Sequence, residues 1–146
     1  MYDAEYQKIK EVLEKNTDKT PYKVIPFSEQ DFEHIYRIKD ALDAKEYVCF
    51  QGDRFISDKK SYTFDFLGRK AKFPVGPFYL ADKYNVPIVF YFSMREKGMK
   101  YRFIFHVADT ASGGGFELAR QYVNVLEEVV KKYPEQWFNY YKFWNA

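Results

Sequence analysis

Two short stretches of this chain combine residue types that can hold an anion. Gly52-Asp53-Arg54 follows a strand-like run, and an arginine there offers a planar, permanently charged fork to phosphate or carboxylate. Further on, Phe73-Pro74-Val75-Gly76-Pro77-Phe78 ends a second strand-like run and opens a helix-like one. It contains no Ser, His or Cys, so it supplies neither nucleophile nor base. It can supply backbone N–H groups from Val75, Gly76 and Phe78 at a helix N-terminus, where an oxyanion or phosphate is stabilised. Pro74 and Pro77 stiffen the turn and contribute no donor. Between the two stretches Arg54, Lys59, Lys60, Arg69, Lys70 and Lys72 form a basic cluster interrupted by Asp53, Asp58 and Asp65. Such a cluster suits a phosphorylated carrier or anionic headgroups. Each feature also has a plainer reading: Asp53 and Arg54 as turn residues, the basic cluster as a solvated hairpin face, the prolines as a rigid strand-to-helix turn.

The remaining candidates are weaker. His34 and His106 are the two histidines, and neither has a second His or a Cys at metal-ligand spacing. No metal and no cofactor are expected. Nucleophile-elbow, phosphate-loop and dinucleotide-binding glycine patterns are all absent from the sequence. Trp137, Tyr140, Tyr141 and Trp144 share one face at helical spacing. Rings with polar tips suit a membrane interface, but a docked core stripe is the stronger reading.

The elements that must position these groups follow from periodicity. Residues 3–15 read as an amphipathic helix, with Tyr6, Ile9, Val12 and Leu13 on one face. Residues 22–25 form a short strand stopped by Pro26. Ser28 and Asp31 resemble a capping box for a helix over 29–44, and 46–50 form a second short strand. That order is the signature of a parallel βαβ pair. Residues 61–66 and 70–73 flank Leu67-Gly68-Arg69 as a hairpin, and 76–84 form a helix. Strands are expected over 87–95 and 100–107, then a helix over 116–132 with Leu118, Ala119, Tyr122, Leu126, Val129 and Val130 inward. Pro134 opens a last helix. The expected fold is α/β: a mixed, partly parallel sheet with flanking helices, in one domain.

Composition narrows the class. Charged residues are 30% and hydrophobic residues 47% of 146, a globular balance. Aromatic residues reach 21%, so the chain has many rings to bury or a surface that meets something apolar. A net charge of +2 argues against nucleic acid, which needs a clear basic excess. Cys49, the single cysteine, sits in an apolar run and reads as a buried thiol. No apolar run approaches the ~20 residues that span a bilayer, so membrane contact would be peripheral.

The ordered motifs resemble a known family. They are a strand ending in Gly52-Asp53-Arg54, the run from Phe64 through Leu67-Gly68-Arg69 to Phe73-Pro74 and Gly76-Pro77, then Leu80-Ala81, Val86-Pro87-Ile88-Val89 and Tyr133-Pro134-Glu135-Gln136-Trp137-Phe138. Together they look like the C-terminal half of bacterial lysophospholipid acyltransferase-like proteins, more narrowly the lipid A lauroyl/myristoyl acyltransferase group. The resemblance implies the C-terminal part of a glycerol-3-phosphate acyltransferase-like fold and transfer of a fatty acyl chain from a thioester to a lipid or glycolipid. It implies an acyl carrier protein or acyl-coenzyme A donor, and peripheral association with the cytoplasmic side of the inner membrane. It also implies a catalytic His followed five residues later by Asp or Glu. Lys39 stands five after His34 and Ala111 five after His106, so no catalytic residue is expected in this chain. The expectation is a fragment, inactive and soluble by itself. Asp53, Arg54, Arg69, Phe73, Pro74, Gly76 and Pro77 would form one wall of the substrate site. Surfaces left uncovered by a missing half would drive homo-oligomer formation. The alternative is a non-catalytic lipid- or carrier-binding scaffold module.

Overall fold

The computed structural model describes residues 22–27, 32–54, 60–111, 113–139 and 143–144. The chain divides into two compact units, Met1–Cys49 and Phe50–Ala146. The helix expected over 3–15 and the capping box at Ser28 and Asp31 lie outside the described residues.

In the first unit one helix is described, α1 (Glu33–Asp43), with Ile38 buried against its surroundings. It stops in a Schellman arrangement: Glu46 N–H donates to Ala41 O and Lys45 N–H to Leu42 O, with Lys45 at φ 59°. The strands expected over 22–25 and 46–50 have no assigned secondary structure and join no ladder among the described residues. The parallel pair is therefore not formed among the described residues. Runs of four or five residues need a neighbouring edge to become strands, and the described residues of the first unit supply none. Cys49 is exposed rather than buried for the same reason.

The second unit carries two antiparallel hairpins. β1 (Ser61–Phe66) pairs with β2 (Arg69–Pro74), from Ser61↔Pro74 to Phe66↔Arg69. The loop is two residues, Leu67 and Gly68, both at positive φ (53° and 77°). That twist matches the strands, so Arg69 joins the ladder instead of the turn. Alternation sends Phe64, Phe66, Ala71 and Phe73 into the core. α2 (Gly76–Lys83) follows with Pro77 in its first turn. β3 (Val89–Arg95) and β4 (Tyr101–Val107) pair from Val89↔Val107 to Arg95↔Tyr101.

α3 (Gly114–Lys132) is the spine of this unit. Leu118, Ala119, Val123, Leu126, Val129 and Val130 are buried along it, so the inward face matches the expected periodicity with Val123 added. Among the described residues that follow, the chain makes only a 3-10 turn, Pro134–Gln136, where a helix was expected. A specific bond competes with the helix. The Gln136 amide accepts from Arg95 N–H at 2.7 Å and donates to Arg95 C=O at 2.8 Å, standing in for a neighbouring strand. Tyr140 and Tyr141 lie outside the described residues. Trp137 and Trp144 are docked against Phe66 and Phe143, which fits the docked reading of that stripe without its helix.

Glu127 ties α3 to the β1–β2 turn. Its carboxylate ion-pairs with Lys131 and accepts the Leu67 N–H at 3.2 Å. Lys131 and the Leu67 amide hold its pKa below the ordinary glutamate value, against an opposing push from burial and Asp65. A depressed carboxylate contributes stability that is complete above its unfolded pKa and lost as pH falls through its folded one. Urea unfolding of Glu127→Gln should therefore show less acid sensitivity than wild type below about pH 4.5, the ordinary value. An identical pH profile would remove Glu127 from the acid response.

Candidate functional site

The Gly52–Arg54 and Phe73–Phe78 stretches meet over one ring. Tyr122, half-buried on the inner face of α3, packs against Phe73 (centroids 6.4 Å), Phe78 (5.6 Å), Phe90 (5.3 Å) and Phe92 (6.1 Å). Gly52 sits directly on the same ring: a Cβ there would lie 2.6 Å from Tyr122 Cζ. Gly52 is glycine because a side chain would occupy the space of the tyrosine ring. Tyr122 thus seats the loop before Asp53 and braces the Phe73–Phe78 turn from one position.

Asp53 and Arg54 are held from the C-terminal segment. The Trp137 indole N–H donates to Asp53 Oδ2 at 3.2 Å. The Arg54 guanidinium, exposed, makes a long 3.4 Å contact to Phe138 O. Trp137 rests edge-on against Phe66 (5.4 Å), Phe143 (5.0 Å) and Trp144 (5.8 Å). Arg69 lies over the Trp144 ring at 5.5 Å, a cation–π contact that leaves its side chain at the surface. Asp53 and Arg69 are therefore anchored on one aromatic cluster that stands on Phe66, while Arg54 reaches the backbone just beyond it.

The remaining expected site residues divide by exposure. Phe73 is fully buried and Pro74 is buried, so they support the turn from beneath. Gly76 is exposed and Pro77 half-buried. Val75 N–H donates to Lys60 O at 3.1 Å, so that amide is taken by the chain itself. Among the described residues Gly76 and Phe78 N–H have no such partner. α2 has no side-chain cap, and its first turn sits beside that of α3, where Gly115 approaches the Phe78 backbone closely enough that a Cβ would meet it at 3.1 Å.

His106 touches this arrangement only through Phe90. The His106 ring stacks on Phe90 at 5.8 Å on β4, and His34 lies 4.4 Å from Phe27 in the other unit. Among the described residues no cluster of His, Cys, Asp or Glu could hold a metal. None of the described helices is long and apolar enough to cross a membrane. The supporting roles of Tyr122, Trp137 and Trp144 were not legible as site residues. Their sequence signals, an inward position on α3 and a C-terminal aromatic stripe, read equally as core.

The arrangement can bind and orient an anionic group through Arg54 and Arg69, with the Asp53 carboxylate bonded to the Trp137 indole. The model of the bacterial lipid A biosynthesis acyltransferases matches residues 8–145. Neither a curated protein nor a solved structure gives a match. With nearly its whole length matched, the chain belongs to the bacterial lipid A biosynthesis acyltransferase family.

Proposed function

We propose that this chain forms the anion- and acyl-donor-facing wall of an acyltransferase that moves a fatty acyl group from a thioester to a lipid or glycolipid acceptor. The family match over residues 8–145 carries the reading. Arg54 and Arg69 meet the phosphate of an acyl carrier protein's prosthetic arm or of acyl-coenzyme A. The Gly76 and Phe78 amides face developing negative charge at the end of the Phe73–Pro77 turn. Asp53 orients the loop through Trp137 rather than taking a proton. The protein works peripherally on the cytoplasmic side of the inner membrane, beside its acceptor, and self-associates.

A second reading rests on the histidines. His34 and His106 both lack an acid at the family spacing, and each has its ring against a phenylalanine, Phe27 and Phe90 respectively. This favours a module that binds the lipid or carrier without performing transfer. One experiment separates the two. The protein is incubated with a radiolabelled medium-chain acyl-carrier-protein thioester and a lipid A precursor, and both bound donor and acylated product are measured. Product formation supports the enzyme; donor binding without product supports the scaffold; absence of both overturns both. In either case Arg54→Ala should weaken the measured step by on the order of 10²-fold while Arg54→Lys recovers part of it. Unchanged binding and turnover in Arg54→Ala would remove Arg54 from the site.

A further inference from the structure

The β3–β4 hairpin leaves its β4 edge open in a defined way. Ala108 N–H donates to Ile88 O at 3.0 Å and Glu96 N–H to Lys100 O at 2.8 Å. With the observed register, these bonds mean that even-numbered residues of both strands bond within the hairpin. The odd-numbered residues of β4 (Tyr101, Phe103, Phe105 and Val107) direct their N–H and C=O groups outward. Among the described residues nothing takes those groups. Their side chains are 56–70% exposed, an apolar row unusual on a free surface. Just past the row the edge is closed: the Gln121 amide accepts from Asp109 N–H at 2.9 Å and donates to Asp109 C=O at 3.0 Å. Beside the open stretch runs a groove of about 460 Å³ between β4 and α3, floored by Ile104, Val125 and Val129 and rimmed by Glu128 and Lys132. An unpaired edge above an apolar groove is a template for one more strand.

We infer that the added strand is β4 of a second copy of this chain, laid antiparallel about a twofold axis at Ile104. Charge complementarity selects this occupant. α3 runs opposite to β4, because Gln121 bonds Asp109 at one end and Tyr133 neighbours the Arg102 guanidinium at the other. Scaling between these two anchors, the level of Ile104 falls between Glu128 and Lys132 on α3. A twofold axis there sets Glu128 of each copy opposite Lys132 of the other. Neither residue forms an ion pair with another described residue; Lys132 leans on the Tyr133 ring at 5.4 Å and adds a minor through-space pull on the Glu96 carboxyl. The contact is self-complementary, as a twofold interface must be. The same register places Phe103 opposite Phe105 and Tyr101 opposite Val107 of the second copy, so both apolar rows continue across the joint. This surface deepens the self-association proposed above and rests on it.

The test uses the full chain with Cys49→Ser, since Cys49 is exposed. Sedimentation reads the oligomeric state, and Ile104→Cys reads the geometry. On the axis, residue 104 of the two copies forms a non-hydrogen-bonded pair, whose Cβ atoms lie about 4.5–5.5 Å apart, close enough for a disulfide. Mild oxidation should convert most of Ile104→Cys to a covalent dimer, while Thr63→Cys on the exposed face of β1 should give none. Lys132→Glu should weaken dimerisation at least tenfold, and adding Glu128→Lys in the same chain should restore it. Restoration by the swap excludes simple unfolding of the single variant. A dimer that neither cross-links at 104 nor recovers in the swap overturns this geometry and leaves self-association standing. A monomer at every concentration overturns both.

Discussion

Phe66→Ala is expected to lower the free energy of unfolding by about 3–5 kcal/mol, the range for deleting a buried aromatic ring. Phe66 is fully buried and touches Phe73 (5.5 Å), Trp137 (5.4 Å), Phe143 (5.7 Å) and Trp144 (6.4 Å). Its removal leaves a cavity lined by rings that cannot collapse together without moving the Trp137 indole off Asp53. That loss is a large share of a typical total of ~5–15 kcal/mol. The effect reports on itself optically. Trp137 and Trp144 are the two tryptophans of the sequence, and both pack on Phe66. Their emission should shift to longer wavelength in the folded variant. Thr63→Ala, exposed on the same strand, should stay within about 0.5 kcal/mol of wild type. A loss under 1 kcal/mol with unchanged emission would show that this cluster does not anchor the C-terminal segment.

The elements of the second unit were legible because their signals are local. A period-2 run on each side of Leu67-Gly68 specifies a hairpin, and a long 3.6-residue period specifies α3. The C-terminal turn was not legible. Pro134 and the spacing of Trp137, Tyr140, Tyr141 and Trp144 favour a helix, yet Gln136 gains two backbone bonds from Arg95, far away in sequence. A long-range bond of this kind leaves no periodic trace. The expected parallel pair is not formed among the described residues for a related reason: whether the 22–25 and 46–50 runs become strands depends on a partner edge that sequence does not reveal. At the candidate site, Gly52, Asp53 and Arg54 stand out by their chemistry alone. What joins them to the Phe73–Phe78 turn is Tyr122, which by type and position resembles any half-buried tyrosine on a helix.

That joint makes Gly52→Ala the most informative single substitution at the site. A methyl group there would lie 2.6 Å from Tyr122 Cζ and 2.9 Å from Cε1, closer than real Cβ atoms approach. Tyr122 cannot simply swing aside, because Phe73, Phe78, Phe90 and Phe92 surround its ring. Either the ring is forced off its rotamer or the 52–54 loop lifts. Overpacking of this kind costs about 1–3 kcal/mol. If the loop lifts, Arg54 is displaced along with it, so donor binding should fall together with stability. The clash also predicts its own suppressor. In a Tyr122→Leu background the added methyl finds room, so Gly52→Ala should cost far less there than in wild type. The coupling energy should reach roughly 1–2 kcal/mol, within the range seen for contacting residues. Strict additivity of the two substitutions would mean that Tyr122 does not set the position of the Gly52-Asp53-Arg54 loop, and the two stretches would then lose their structural link.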